Sequence, residues 1–289
     1  MAGDAHRRHR RLRHGEPRRS PARNDAVKST SRKFWRSAPP VFPPHRVDAP
    51  ACGTALERWP VGPAPCSPGD PFRILYVCSA NVCRSVMAER LTSRAIAQRL
   101  TAHRSAFEVG SAGLRATPDQ AAHPYALAAL ARFDLDACGF ATRVLTAPLL
   151  ERSDLVLAAT ARQRDHVVEL LPAAARRTFT IREFARIAAH AANGPHAAHA
   201  AAPSPDPPPE RHRPTPVHDL VGRARRLVDL AATLRGQVGY VAARAEDIAD
   251  PPLRLSAFYR CADRISQAVD DCVGVLCGDG RTAPSAAGR

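Results

Sequence analysis

Lysine is almost missing from this chain: Lys28 and Lys33 are the only two among 42 basic residues, and the rest are arginine. A formal charge of +15 invites a nucleic-acid reading. The arginine bias, however, is what GC-rich coding produces together with abundant alanine, proline and glycine. About half of the charge excess also falls before residue 71, so it belongs mainly to a tail. Composition therefore argues against nucleic acid as the partner. Aromatic residues make up only 5% of the chain, and with 27 prolines this leaves part of the length without the means to pack. No apolar run is long enough to span a bilayer, and the basic N-terminus has no apolar segment of the export type behind it. The eight cysteines, at 52, 66, 78, 83, 138, 261, 272 and 277, form no paired CxxC units. Their pattern fits a reducing compartment, and a cytoplasmic location is expected. His190, His196, His199, His212 and His218 lack helical or finger spacing, so neither a metal nor another cofactor is expected. Nothing in the sequence sets an oligomeric state.

The informative stretch runs from Arg73 to Leu91. Ile74 to Val77 is a short, β-rich apolar run suited to a buried parallel strand, and from Ser85 onward Val86, Ala88 and Leu91 take helical spacing. The turn between them opens on Cys78 and carries Arg84 and then Ser85. Backbone N–H groups at a helix N-terminus bind anions, and an arginine adds a planar fork of donors suited to phosphate oxygens. The predicted object is an oxyanion cradle with a sulfur at its floor, formed by Ser79, Ala80, Asn81, Val82, Cys83, Arg84 and Ser85.

At these residues the chain resembles the low-molecular-weight protein tyrosine phosphatases, whose loop reads V-C-x-G-N-x-C-R-S-P followed by M-A-E. Val77, Cys78, Asn81, Cys83, Arg84, Ser85, Met87, Ala88 and Glu89 match. Ala80 replaces the usual glycine, which strains the loop if φ must be positive there. Val86 replaces the usual proline without removing a ligand group. Ser111-Ala-Gly113, Phe140-Ala-Thr-Arg143, Asp154-Leu-Val-Leu157 and Arg177-Thr-Phe-Thr-Ile-Arg-Glu-Phe184 extend the likeness.

Residues 1–70 lack periodicity and read as a disordered basic, Pro/Arg-rich extension. Residues 71–279 read as the phosphatase-like domain, with a low-complexity His/Ala/Pro insert at 188–216, and 280–289 as a loose tail. Strands are expected at 107–113, 154–160 and 178–181 besides the first. Helices are expected from 85, at 121–133, 145–152, 162–171, 182–188, 220–234 and 256–277. Alternating strands and helices predict an α/β fold: a flavodoxin-like four-stranded parallel sheet, helices on both faces, with the first strand central. Cys78 then lies at a strand C-terminus, where such sheets bind ligands.

The resemblance implies a metal-independent phosphatase that hydrolyses phosphomonoesters through a phosphocysteine on Cys78. Its substrate would be a phosphotyrosine-containing protein or a small aryl phosphate. The loop N–H groups, the helix N-terminus and Arg84 favour the thiolate, and Ser85 can donate a hydrogen bond to it. Arg84 would hold two equatorial oxygens as charge spreads in the transition state. The family supplies a proton donor from an Asp-Pro pair before the last helix, which matches Asp250-Pro251; Asp247 is the nearby alternative. Pro252, Leu253 and Arg254 stand where eukaryotic relatives carry slot-lining tyrosines. Ser111 is either a buttress of the loop or a turn hydroxyl serving its own backbone. Cys83 is either a resolving thiol for oxidised Cys78 or a packing residue. Two other functions remain: a single-cysteine arsenate reductase using a small thiol, and a non-catalytic phosphate-binding module. Residues 154–175 contain no cysteine, which removes a thioredoxin-linked relay.

Overall fold

Phe72–Cys78 (β1) is buried along its whole length because it is paired on both edges. A strand with neighbours on both sides and helices above and below has no solvent face, so FRILYVC reads as a nearly continuous apolar run. The computed structural model describes residues 70–194, 216–239 and 241–278. The extension expected before residue 70, most of the insert and the tail from 280 lie outside the described residues.

β1 leads into Arg84–Arg99 (α1), and Phe107–Gly113 (β2) pairs parallel with β1 in the register Phe72↔Phe107 to Cys78↔Gly113. Pro124–Ala131 (α2) and the short Ala147–Glu151 (α3) follow, then Leu155–Ala158 (β3), parallel to β1 on its other edge. Ala161–Leu170 (α4), Thr178–Thr180 (β4) and Ile181–Asn193 (α5) complete the alternation, and Pro216–Leu234 (α6) and Leu255–Cys277 (α7) close the chain. Among the described residues the sheet order is β2-β1-β3-β4, all parallel. The flavodoxin-like order expected from the alternation is therefore present, with β1 inside.

Successive strand side chains point to opposite faces. Ile74, Tyr76 and Cys78 face the larger core shared with α1, α2, α5, α6 and α7, while Leu75 and Val77 face a smaller one with Leu145, Leu150, Val156 and Val167. The sulfur of Cys78 thus points to the side where α1 begins and α7 crosses.

The main departure from expectation is at α5. It runs through Asn193, so residues 188–193 are helix rather than insert, and Ala188 and Ala191 are fully buried in the core. Thr180 ends β4 because its hydroxyl accepts from the Glu183 N–H while Glu183 accepts from the Thr180 N–H, a capping box. The Glu183 carboxylate also meets Arg164 at 3.3 Å and Arg235 at 3.1 Å, and Arg235 lies 4.0 Å over the Phe179 ring.

Leu157 is fully buried on β3, between β1 and β4. Leu157→Ala should therefore lower unfolding free energy by about 2–5 kcal/mol in urea titrations. A loss under about 1 kcal/mol would mean that this face of the sheet is not close-packed.

Candidate active site

The turn from β1 into α1 exposes its donors and hides its acceptors. The carbonyls of Cys78, Ser79 and Val82 accept from the N–H groups of Leu114, Arg115 and His123 at 3.0, 2.8 and 2.8 Å. Among the described residues, no backbone N–H from Ser79 to Ser85 donates to a backbone carbonyl; the first to do so is Met87, to Cys83 at 3.0 Å. Such a row of unpaired N–H groups wrapped round a cysteine binds an anion.

Asn81 sets the shape of the turn. It has φ +57°, a conformation asparagine tolerates better than most side chains. Ala80 is not among the positive-φ residues, so the strain expected from replacing glycine there does not arise. The glycine the turn requires is Gly113. A Cβ on Gly113 would lie 2.8 Å from the Asn81 backbone nitrogen and 2.9 Å from the Ser79 carbonyl oxygen, closer than any side chain allows.

The Asn81 side chain is fully buried, and its orientation is fixed because Oδ1 accepts from the Arg143 backbone N–H at 3.0 Å. Its Nδ2 therefore donates, to Ser85 Oγ at 2.9 Å and to Ser111 Oγ at 2.8 Å. With a donor already on each oxygen, each hydroxyl proton goes the other way. Ser111 donates to Glu89 Oε2 at 2.6 Å, and Ser85 lies 3.0 Å from the Cys78 sulfur, to which its proton is directed when the sulfur is anionic. Of the two readings of Ser111, the buttress is the one present. Burial pushes Glu89 above its ordinary range, opposed by the Ser111 hydrogen bond and by the charges of Arg90 and Arg143. The Arg143 Nε also donates to the Ser111 carbonyl at 2.7 Å, closing the network.

Arg84, the first residue of α1, has only 6% of its side chain exposed. Nη1 donates to the Ile248 carbonyl and Nη2 meets Asp250 Oδ1, both at 3.0 Å. Nε is buried and has no partner. The Nε–Nη2 edge is the one suited to a bidentate oxyanion, with Asp250 at one corner. Asp250 has 62% of its side chain exposed, so it can reach a bound group from the solvent side. Asp247 is committed elsewhere: its Oδ1 accepts from the Ala161 N–H at 2.7 Å, at the start of α4.

Three contributors gave no signal in the sequence. Gln163 on α4 donates to Ser79 Oγ at 2.9 Å, and its own Oε1 is buried without a partner. His123 stacks on Phe258 at 4.8 Å and accepts from the Tyr125 N–H, while burial holds its pKa below the ordinary value against the raising charge of Asp250. Ile248 anchors the segment that leads to Asp250 by donating to the Ala159 carbonyl at 2.7 Å. Cys83 is buried at the back of the loop; burial first, then the neighbouring Cys78 and Asp250, pushes its thiol well up.

Residues 73–195 match the family model described as low molecular weight phosphotyrosine protein phosphatase. The protein-arginine-phosphatase of Bacillus subtilis is 35% identical over 111 residues, covering 38% of this chain and 71% of that protein. The low molecular weight protein-tyrosine-phosphatase Ptp of Acinetobacter johnsonii is 33% identical over 108 residues, covering 37% and 70%. The chain belongs to the low molecular weight phosphotyrosine protein phosphatase family. A solved YwlE arginine phosphatase from Geobacillus stearothermophilus superposes with TM-score 0.47 at 23% identity, covering 72% of this chain and 95% of that one. The matched family region holds the whole loop, Ser111, Arg143 and Gln163, but ends before Asp250. Asp250 therefore rests on its contact with Arg84 and its place before α7.

Two measurements address this geometry. Gly113→Ala must displace the loop backbone, so inorganic phosphate should bind at least about tenfold more weakly by titration calorimetry, the worth of one charge-assisted hydrogen bond. Unchanged affinity would show that the loop does not need that close approach. For Glu89 the folded state raises the pKa above its ordinary value of 4.5. Its stabilisation is complete below the unfolded pKa and is lost as pH rises through the folded one. Measured by urea unfolding across that range, Glu89→Gln should gain on the parent as pH increases. A difference independent of pH would contradict the burial of a titrating carboxyl.

Proposed function

We propose that this chain is a protein tyrosine phosphatase that hydrolyses phosphotyrosine or other aryl phosphates through a phosphocysteine on Cys78, with Arg84 and Asp250 as its partners. One observation carries the reading: the unpaired N–H groups of the loop and the buried, unpaired Arg84 Nε converge on the end of β1 that carries the Cys78 sulfur.

The Cys78 thiolate attacks phosphorus, and the bond to the leaving oxygen breaks as Asp250 protonates it. The transferred group spreads its charge over three equatorial oxygens, met by the loop N–H groups from Ser79 to Ser85 and by the Nε–Nη2 edge of Arg84. Asp250 then takes a proton from water, which attacks phosphorus and expels the thiolate as phosphate leaves. Ser85, held as a donor by Asn81, stabilises the departing sulfur. The chemistry asks for a reduced thiol, which supports a cytoplasmic location; among the described residues no helix is long and apolar enough to cross a membrane. The same reading makes 71–279 the working domain, with 1–70 and 280–289 as appendages.

Cys78→Ser should abolish turnover of p-nitrophenyl phosphate, because a serine hydroxyl in this loop is not ionised; residual turnover near the parent rate would remove the phosphocysteine. Arg84→Lys should keep less than about a tenth of the rate, since an ammonium cannot reproduce the planar fork. Asp250→Ala should slow poor aryl leaving groups by about 10² to 10⁴ and good ones much less. Equal slowing across the leaving-group series would instead indicate structural damage. Running arsenate with a small thiol in parallel tests the reductase alternative.

A further inference from the structure

The acid loop and α7 enclose a second pocket, of about 170 Å³, beside the phosphate cradle. Its walls are the acid-loop residues Asp250, Pro251 and Pro252 and, from α7, Ala257, Arg260 and Arg264. None of the loop residues from Cys78 to Ser85 lines it. Asp250 borders it on one side and meets Arg84 of the cradle on the other, so one carboxylate divides the two sites.

The charges around this pocket are not balanced. Arg260 and Arg264 stand one helical turn apart on the same face of α7, and both are exposed. Among the described residues neither has a carboxylate partner. Two acidic residues of the same helix are paired elsewhere: Asp263 with Arg132 at 3.2 Å and Asp270 with Arg99 at 3.3 Å; Asp271 does not line the pocket. Asp250 is the carboxylate on the pocket wall, and it is held by Arg84 at 3.0 Å. Pro251, Pro252 and Ala257 supply an apolar floor against which an aliphatic stem can lie. A pair of guanidinium groups with no carboxylate partner among the described residues, set over such a floor, fits the side chain of a glutamate or aspartate: methylene groups on the prolines, carboxylate between the arginines.

We propose that this pocket is a substrate subsite that takes an acidic side chain flanking the phosphorylated residue, so that the preferred substrate is an acidic stretch of a phosphoprotein. The inference rests on the phosphatase reading only for what occupies the cradle.

The test uses two phosphotyrosine peptides that differ only in glutamate against glutamine at the flanking positions. Their affinities for the full chain carrying Cys78→Ser are measured by fluorescence anisotropy, which needs no turnover. The acidic peptide should bind about fivefold more tightly, the worth of two exposed charge pairs, and the ratio should fall as salt is raised. Adding Arg260→Ala and Arg264→Ala should bring the ratio to one, whereas Arg260→Lys and Arg264→Lys, which keep the charge, should preserve most of it. Equal binding of the two peptides to the parent, or a preference that survives loss of both arginines, overturns the subsite. Turnover of p-nitrophenyl phosphate, measured separately on the parent, keeps the two readings apart. A peptide ratio without turnover removes the phosphatase reading and leaves the subsite, and turnover with a ratio of one does the reverse.

Discussion

The geometry of the cradle depends on one buried amide. Asn81 occupies a left-handed turn position, and its side chain reaches three elements at once: Ser85 at the start of α1, Ser111 on β2, and the Arg143 backbone beyond it. Each contact is modest alone, about 1 kcal/mol for a neutral hydrogen bond. Together they set which way two hydroxyl protons point, because an oxygen that already accepts from Asn81 has its proton left for another partner. Ser111 passes its proton to Glu89, and Ser85 directs its own toward Cys78. The amide thereby determines that the buried carboxyl at one end and the sulfur at the other each meet a donor. Burying a carboxyl costs free energy unless it is hydrogen-bonded, and the raised pKa of Glu89 records that cost. The arrangement gives up some stability to hold a reactive group in one orientation.

A second constraint lies in Arg84. Its Nη1 is anchored by the Ile248 carbonyl, and Ile248 is itself pinned to Ala159 just past the end of β3, so the guanidinium and the Asp250 segment are positioned from the same strand edge. The fork is thus preorganised before any anion arrives, and electrostatic stabilisation of this kind needs no rearrangement at the moment of reaction. The Asp250 contact leaves the proposed acid within reach of the group that the arginine would hold.

Much of this was legible in the sequence, for physical reasons that differ along the chain. β1 and β3 read as strands because a central parallel strand has no solvent face and so must be continuously apolar. The loop read as an anion cradle because cysteine, arginine and serine were packed between a strand and a helix. Ser111 was visible only as an ambiguous turn hydroxyl. What resolves it is Asn81, thirty residues earlier in the chain, and no local periodicity links the two. Glu89 stood out only as part of the family motif, with no role attached, since nothing in its neighbours reveals that the α1 face it occupies lies against β2. Gln163 and the Ile248 carbonyl were invisible for the same reason: a side chain on α4 and a backbone oxygen carry no motif. α5 extends past the expected boundary at 188 because its Ala/His-rich end resembles low-complexity sequence, whereas alanine has high helix propensity and here fills the core at Ala188 and Ala191.

The central claim is that the sulfur of Cys78, and no other group, receives the phosphoryl group inside this cradle. It is tested most directly by mixing Asp250→Ala enzyme with p-nitrophenyl phosphate, quenching with acid within milliseconds to seconds, and mapping phosphate by peptide mass spectrometry. The account predicts a thiophosphate ester on the peptide carrying Cys78, formed before steady-state product release. Turnover without any phosphorylated peptide, or phosphate attached at a residue other than Cys78, would contradict it.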